Sequence, residues 1–171
     1  MSEMGLRSDH QTGRSYGRKG RTPVIAGSGQ RFSCNMISTV TNRGTLRFMV
    51  FRKRFTAPLF IEFLRRLLRS SKRKIHLILD RHPVHKSAKV RRWLQGQQEQ
   101  LAVHFLPSYS PQLNPDEMLN NDVKSNAVGR RRPADGEERM TDVREYLRST
   151  QRQPEIVCSY FNAKHVQYAA V

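Results

Sequence analysis

Apolar and polar positions alternate through two early stretches of the chain. Arg31 to Thr41 carries Phe32, Met36, Ile37 and Val40, and Leu46 to Phe51 forms a second apolar run. Thr41-Asn42-Arg43-Gly44 stands between them, and two such runs around an Asn/Gly turn predict a β-hairpin. The period then lengthens. Phe60, Ile61, Phe63, Leu64, Leu67 and Leu68 recur at helical spacing with Arg65, Arg66 and Arg69 left to face outward. Thr56 suits the N-cap of this helix and Pro58 its first turn. Ile75 to Leu79 is a short continuous apolar run ending at Asp80, the pattern of a buried strand. A basic helix is predicted over roughly Ser87–Gln98, with Val90, Trp93 and Leu94 on its apolar side, and another strand over Leu101–Leu106. The Pro- and Ser-rich loop Pro107–Pro111 leads into a helix that starts at Asn114-Pro115-Asp116-Glu117. Residues 130–136 read as a linker, and Glu137–Gln151 and Pro154–Phe161 as helices. Residues 1–31, rich in Gly, Ser and Arg, read as loop with one short strand at Val24-Ile25-Ala26. A strand that returns through a helix implies a parallel pair, so the order predicts a mixed α/β sheet flanked by helices.

Composition adds charge to this outline. The 171 residues suit one domain, and the formal net charge is +17. A surplus of that size favours a polyanionic partner, nucleic acid first among them; a ribosome-associated or merely soluble basic protein has the same signature. Cys34 and Cys158 lie far apart and outside any CxxC pattern, which excludes a disulfide framework or zinc ribbon and suits reduced thiols inside a cell. The N-terminus has no apolar signal core and no stretch approaches a membrane span.

Two carboxylates stand where chemistry is expected. Asp80 ends an apolar strand just where the chain leaves the sheet, and sites in open α/β sheets collect at the carboxyl ends of strands. A helix-capping or turn Asp fits the same position. Glu117 sits in the first turn of a helix, three residues after Asn114, where Asn-x-x-Glu also resembles a capping box. Asp116 equally suits the positive end of the helix dipole. Gathered carboxylates would seat two divalent ions against a phosphodiester for in-line displacement, and hard ions such as Mg²⁺ prefer oxygen ligands. His82 and His85 form His-x-x-His, but a zinc site needs further ligands that no Cys pair supplies. His85 could orient a phosphate or water near Asp80, or be a polar loop residue. Lys86, Lys89, Arg91 and Arg92, with Arg130, Arg131 and Arg132, could track a DNA backbone or be solvated helix and linker positions. Trp93 reads as core.

"LILDRHPVHKS", "VRRWL" and "HFLPSYSPQLNPDEMLNNDVKS" together resemble the catalytic half of mariner-like DDE transposases of the insertion-sequence-630 group. "GRSYGRKGRTPV", "LRFMVFRKRFTAPLFIEFLRRLL" and "PEIVCSYFNAKHVQYAA" are similar to the same family, so the resemblance runs over nearly the whole chain. It implies an RNase H-like fold, a triad of carboxylates binding two Mg²⁺ or Mn²⁺ ions, and the cutting and joining of DNA at transposon ends and target. It implies further a possible homodimer, no membrane or small-molecule cofactor, and a cytoplasmic, nucleoid-associated location. On the motif, the second and third acidic positions fall on Asp80 and Glu117, with Asp116 the neighbouring alternative as metal ligand. The first Asp of the family is replaced by Ser2, and Glu3 is one residue out of register, facing the other side of a strand. The expectation is therefore a truncated catalytic domain over 1–129 that lacks its first, central strand. Residues 130–171 would add a C-terminal helical extension, and the chain alone would be inactive. A fragment, a decayed copy or the second of two reading frames would look this way. A non-catalytic nucleic-acid-binding remnant is the alternative.

Overall fold

The structure, a computed structural model, describes residues 1–7, 33–128 and 135–170. The hairpin forms with strand β2 at Ser33–Val40 and strand β3 at Leu46–Phe51, paired antiparallel from Asn35↔Phe51 to Val40↔Leu46. Its turn needs the glycine. Gly44 has φ +80°, and a Cβ there would lie 2.6 Å from Pro154 Cβ and 2.7 Å from its carbonyl oxygen, so both backbone and neighbour exclude a side chain. Helix α1 spans Ala57–Arg69. Thr56 occupies its N-cap without a side-chain hydrogen bond, and Pro58 sits in the first turn. Strand β4 is Ile75–Leu79, helix α2 Ala88–Gln95 and strand β5 Leu101–Phe105. Ser87 caps α2 by accepting from the Val90 amide. β4 and β5 pair in parallel, Ile75↔Leu101 to Leu79↔Phe105, as a strand–helix–strand unit requires. Helices α3 (Asp116–Val123), α4 (Gly136–Gln151) and α5 (Pro154–Ser159) follow.

One expectation is corrected. Residues 2–7 are not loop: Ser2–Arg7 forms a strand, β1, paired antiparallel with β2 from Ser2↔Ser38 to Arg7↔Ser33. The sheet thus has a first strand, made of residues that a short run with Gly5 and Arg7 disguised. Ser2, Met4 and Leu6 are buried, while Gly5 and Arg7 are exposed: a period of two over only six residues. The strand proposed at Val24–Ala26 lies outside the described residues.

The three-stranded sheet has order β1-β2-β3, and β4-β5 form a second, two-stranded sheet. Among the described residues, a bond from the Met1 ammonium to the Ile78 carbonyl (2.9 Å) sets the start of β1 beside β4. Side chains alternate across β2, so the sheet is covered on both faces. Met4, Leu6, Cys34, Met36 and Val50 pack with Leu119, Val143, Leu147 and Val157 of α3, α4 and α5. From the other face Ile37 joins Phe60, Leu64, Leu79 and Val90 in a second cluster shared with α1, α2, β4 and β5. Each large side chain enclosed there contributes about 1.5–3 kcal/mol. Both cysteines are free, and Cys158 Sγ donates to the Asn42 carbonyl. No helix among the described residues is long and apolar enough to cross a membrane.

Candidate active site

The acidic residues gather around the first residues of β1. Asp80 follows β4, where the chain turns into a 3₁₀ segment, Pro83–Lys86. Its Oδ1 accepts from the His82 amide (3.0 Å) and from His85 Nδ1 (3.0 Å). His85 is buried, and its ring packs against Phe55 and Phe60 with centroids 5.7 and 4.6 Å away. Nε2 is enclosed and has no partner among the described residues, so the hydrogen bonding assigns the ring hydrogen to Nδ1. His85 is therefore a positioning residue for Asp80, and among the described residues no further ligand joins His82 and His85 in a metal-holding group. Burial pushes the Asp80 carboxyl up, but the hydrogen bonds from His85 and from the His82 amide outweigh it and hold the group below its ordinary value. For His82, burial and then the neighbouring His85 lower the imidazole.

Glu117 lies across β1. Its Oε1 accepts from Ser2 Oγ at 3.0 Å, and Ser2 Oγ in turn accepts from Asn120 Nδ2 at 3.0 Å. The carboxylate that resembled half of a capping box thus faces a strand, while Asn114 Oδ1 accepts from the Asp116 amide and Asn114 Nδ2 donates to the Met1 carbonyl. Asn120 was not singled out in the sequence. It lies one helical turn beyond Asp116, on the same stripe as Leu119 and Val123, and a polar residue on an apolar stripe is the signal that could have found it.

Asp116 is turned away from any cation site reachable from solvent. It is fully buried: Oδ1 accepts from Ser38 Oγ (2.9 Å) and Oδ2 is ion-paired with the Met1 ammonium (2.7 Å). Burial raises its carboxyl despite that ammonium. The physical reason is helical geometry: adjacent residues in the first turn of α3 point about 100° apart, so only one of Asp116 and Glu117 can face Ser2.

Glu3 takes the opposite face of β1 from Ser2. Its carboxyl is raised, first by burial and then by the negative charge of Asp80, with His85 opposing. A carboxyl raised on folding supports the fold below its ordinary titration range and weakens it as pH rises through the higher folded value. Glu3→Gln is therefore expected to raise the melting temperature at pH 7 by about 1–3 °C, since solvent screens this half-buried pair. At pH 4, where Glu3 is largely protonated, the variant and the unsubstituted chain should melt together; thermal denaturation at the two pH values checks it.

Glu117 thus contacts Ser2 at the start of β1, and Asp80 lies close enough to Glu3 for its charge to raise that carboxyl. Among the described residues no three of His, Cys, Asp and Glu come close enough to hold a metal ion. Lys89, Arg91 and Arg92 are exposed on α2, and the exposed Lys86 stands with its ammonium 5.7 Å from the Phe105 ring centroid. Arg130, Arg131 and Arg132 lie outside the described residues. Trp93 is half-buried at the rim of the second cluster. The loop after β5 starts beside Asp80, because the Leu106 amide donates to the Leu79 carbonyl and Arg81 Nε to the Leu106 carbonyl. In this loop Tyr109 has φ 56° and is fully exposed.

The class defined by this arrangement is a mixed α/β, RNase H-like catalytic fold with acidic residues at the junction of its sheets. The Mos1 mariner paired-end complex with Mn matches it with a TM-score of 0.69 at 16% identity, over 99% of this chain and 54% of that one. The Mos1 strand transfer complex matches with a TM-score of 0.66 at 18% identity, over 99% and 53%. The catalytic domain of the Mos1 mariner transposase gives 0.56 at 15%, over 82% and 76%. At such identities the likeness is one of fold, and the chain spans about half the length of the chains in the two complexes. No curated protein matches the sequence. Residues 1–139 match the model of the DDE superfamily endonucleases, and the chain belongs to that family.

Proposed function

We propose that the chain is the catalytic-domain portion of a mariner-like transposase of the insertion-sequence-630 group, acting on DNA at transposon ends and target. We propose also that, with Ser2 in place of an acidic residue, it does not cut or join DNA by itself. The observation that carries this reading is the contact between Ser2 and Glu117 at the start of β1, with the charge of Asp80 felt by the next residue, Glu3. Asp80 and Glu117 are the residues proposed to act in catalysis and to hold Mg²⁺ or Mn²⁺. The donor set does not fit a two-metal centre as it stands: Ser2 offers a hydroxyl where a third carboxylate would be needed, and no cluster of three ligands is formed among the described residues. The basic residues Lys86, Lys89, Arg91 and Arg92, together with Arg130, Arg131 and Arg132, are proposed to face the DNA backbone, consistent with the +17 charge. A homodimer working at nucleoid DNA fits the paired-end complexes of Mos1.

The test is to incubate the purified chain with Mn²⁺ and duplex DNA carrying insertion-sequence ends. Salt-dependent binding without nicking is expected. Specific nicking that disappears in Asp80→Ala would overturn the proposed inactivity, and absence of any DNA binding would overturn the reading as a whole.

A further inference from the structure

We propose that a groove along the outer edge of β3 binds a nucleic-acid phosphate backbone, separately from the carboxylates. The inference rests on the reading above that the partner is DNA, and adds a contact surface no motif pointed to. β3 is divided from β1 by β2, so the groove lies two strands away from Ser2. It has a volume of about 380 Å³ and runs between β3, α1 and α4.

Four arginines line it: Arg47 from β3, Arg66 from α1, and Arg144 and Arg148 from α4. No acidic residue is among the lining. Glu62 pairs with Arg66 at 2.9 Å from one helical turn away, which leaves the groove strongly cationic. Arg144 and Arg148 stand four residues apart on one helix, a like-charge spacing that costs a few tenths of a kcal/mol unless an anion lies between them. Arg47 is already held, its Nε to Ser70 Oγ at 3.4 Å and its guanidinium to the Leu46 carbonyl at 3.2 Å. The side chains of Phe48 and Phe63 contribute apolar lining, suited to sugar carbons beneath a phosphate run.

An added peptide strand is the competing occupant of a free sheet edge. The Leu46 carbonyl is occupied on that edge by Gln151 Nε2 (2.7 Å) as well as by Arg47. Side chains that take up an edge carbonyl blunt the edge against further strands. The charge and the blocked edge together favour phosphate.

The experiment measures binding of the full chain to duplex DNA by fluorescence anisotropy between about 0.05 and 0.2 M salt, where each phosphate contact contributes about 0.9 to the slope of log K against log salt. Arg144→Gln with Arg148→Gln should reduce the slope by about two, and Arg148→Gln alone, an exposed change that leaves the fold intact, by about one. Lys72→Gln with Lys74→Gln, which removes the same charge from an exposed turn, should leave the slope near its original value. An unchanged slope in the arginine variants, or an equal fall in the lysine control, would overturn the groove assignment while leaving DNA binding intact. If the unsubstituted chain shows no salt-dependent binding, the DNA reading falls and takes the groove with it.

Discussion

Ser2→Asp is expected to give the chain a Mn²⁺-dependent gain in thermal stability that the unsubstituted chain lacks. Ser2 is buried and its hydroxyl bridges Glu117 and Asn120. A carboxylate at that position would meet the Glu117 carboxylate at hydrogen-bond range, and like charges in an enclosed site oppose ionisation. Without metal the variant should lose about 3 kcal/mol, or about 6–12 °C in melting temperature for a chain of this size. A divalent cation bound by the two acids would offset most of that loss. At a concentration a hundred times its dissociation constant, a ligand that binds only the folded state returns about 2.7 kcal/mol. Melting curves across a Mn²⁺ titration distinguish the cases. Ser2→Ala should lose stability from its broken hydrogen bonds without acquiring a metal response, and Asp80→Asn introduced into the Ser2→Asp chain should abolish that response. A Ser2→Asp protein indifferent to Mn²⁺ would contradict the assignment of Ser2 to the vacant acidic position.

The second large effect lies away from that site. Asp122 on α3 accepts three hydrogen bonds: from Tyr146 Oη of α4 at 2.7 Å, from the adjoining Tyr160 Oη at 2.5 Å, and from Asn126 Nδ2 at 2.7 Å. Removing the acceptor strands one half-buried and one buried phenol, each at a cost of about 1–3 kcal/mol. Asp122→Ala should therefore lose about 3–5 kcal/mol, visible as a lower urea midpoint with an unchanged slope. A loss under about 1 kcal/mol would show that water replaces Asp122 readily. The same triad gives an alkaline signature. Burial and then the hydrogen bond to Asp122 push Tyr146 up to about 12, and Tyr160 is driven higher still. Groups raised on folding support the fold fully below their ordinary value and less as pH climbs through the folded one. Stability should fall from about pH 10 upward, and this fall should be weaker in Asp122→Ala, which keeps the burial of the phenols and loses the carboxylate beside them.

Much of this architecture could be read from residue pattern because local signals and tertiary demands agreed. Ile75–Leu79 is a continuous apolar run because β4 is enclosed, and the β2–β3 hairpin announces itself through its Asn/Gly turn. The fate of single polar groups was not legible. Asn114-x-x-Glu117 has the spacing of a capping box, yet Glu117 turns to Ser2, a residue distant in sequence whose approach no local rule encodes. Asp116 and Glu117 are adjacent acids with opposite environments, one sealed against Ser38 and one at the strand. Strand β1 escaped notice because six residues containing Gly5 hold too few alternations to stand out. Asp80 could be located because strand ends are chemically special, whereas its partner His85 depended on a 3₁₀ turn folding back onto Phe55 and Phe60.

The interruption between β1 and β4 bears on how the molecule comes apart. Within β1–β2 and within β4–β5, ladders of backbone hydrogen bonds run residue by residue; across the junction, the described residues supply the one link from Met1 to Ile78. Cohesion there depends on the apolar cluster that Met1 and Ile37 share with Leu77 and Leu79, and such packing tolerates sliding far better than a ladder does. Partial opening should accordingly separate β4, β5 and their helices as one unit from the rest. Glu3 of β1 and Asp80 just beyond β4 sit at that seam, so such opening would change the spacing between them.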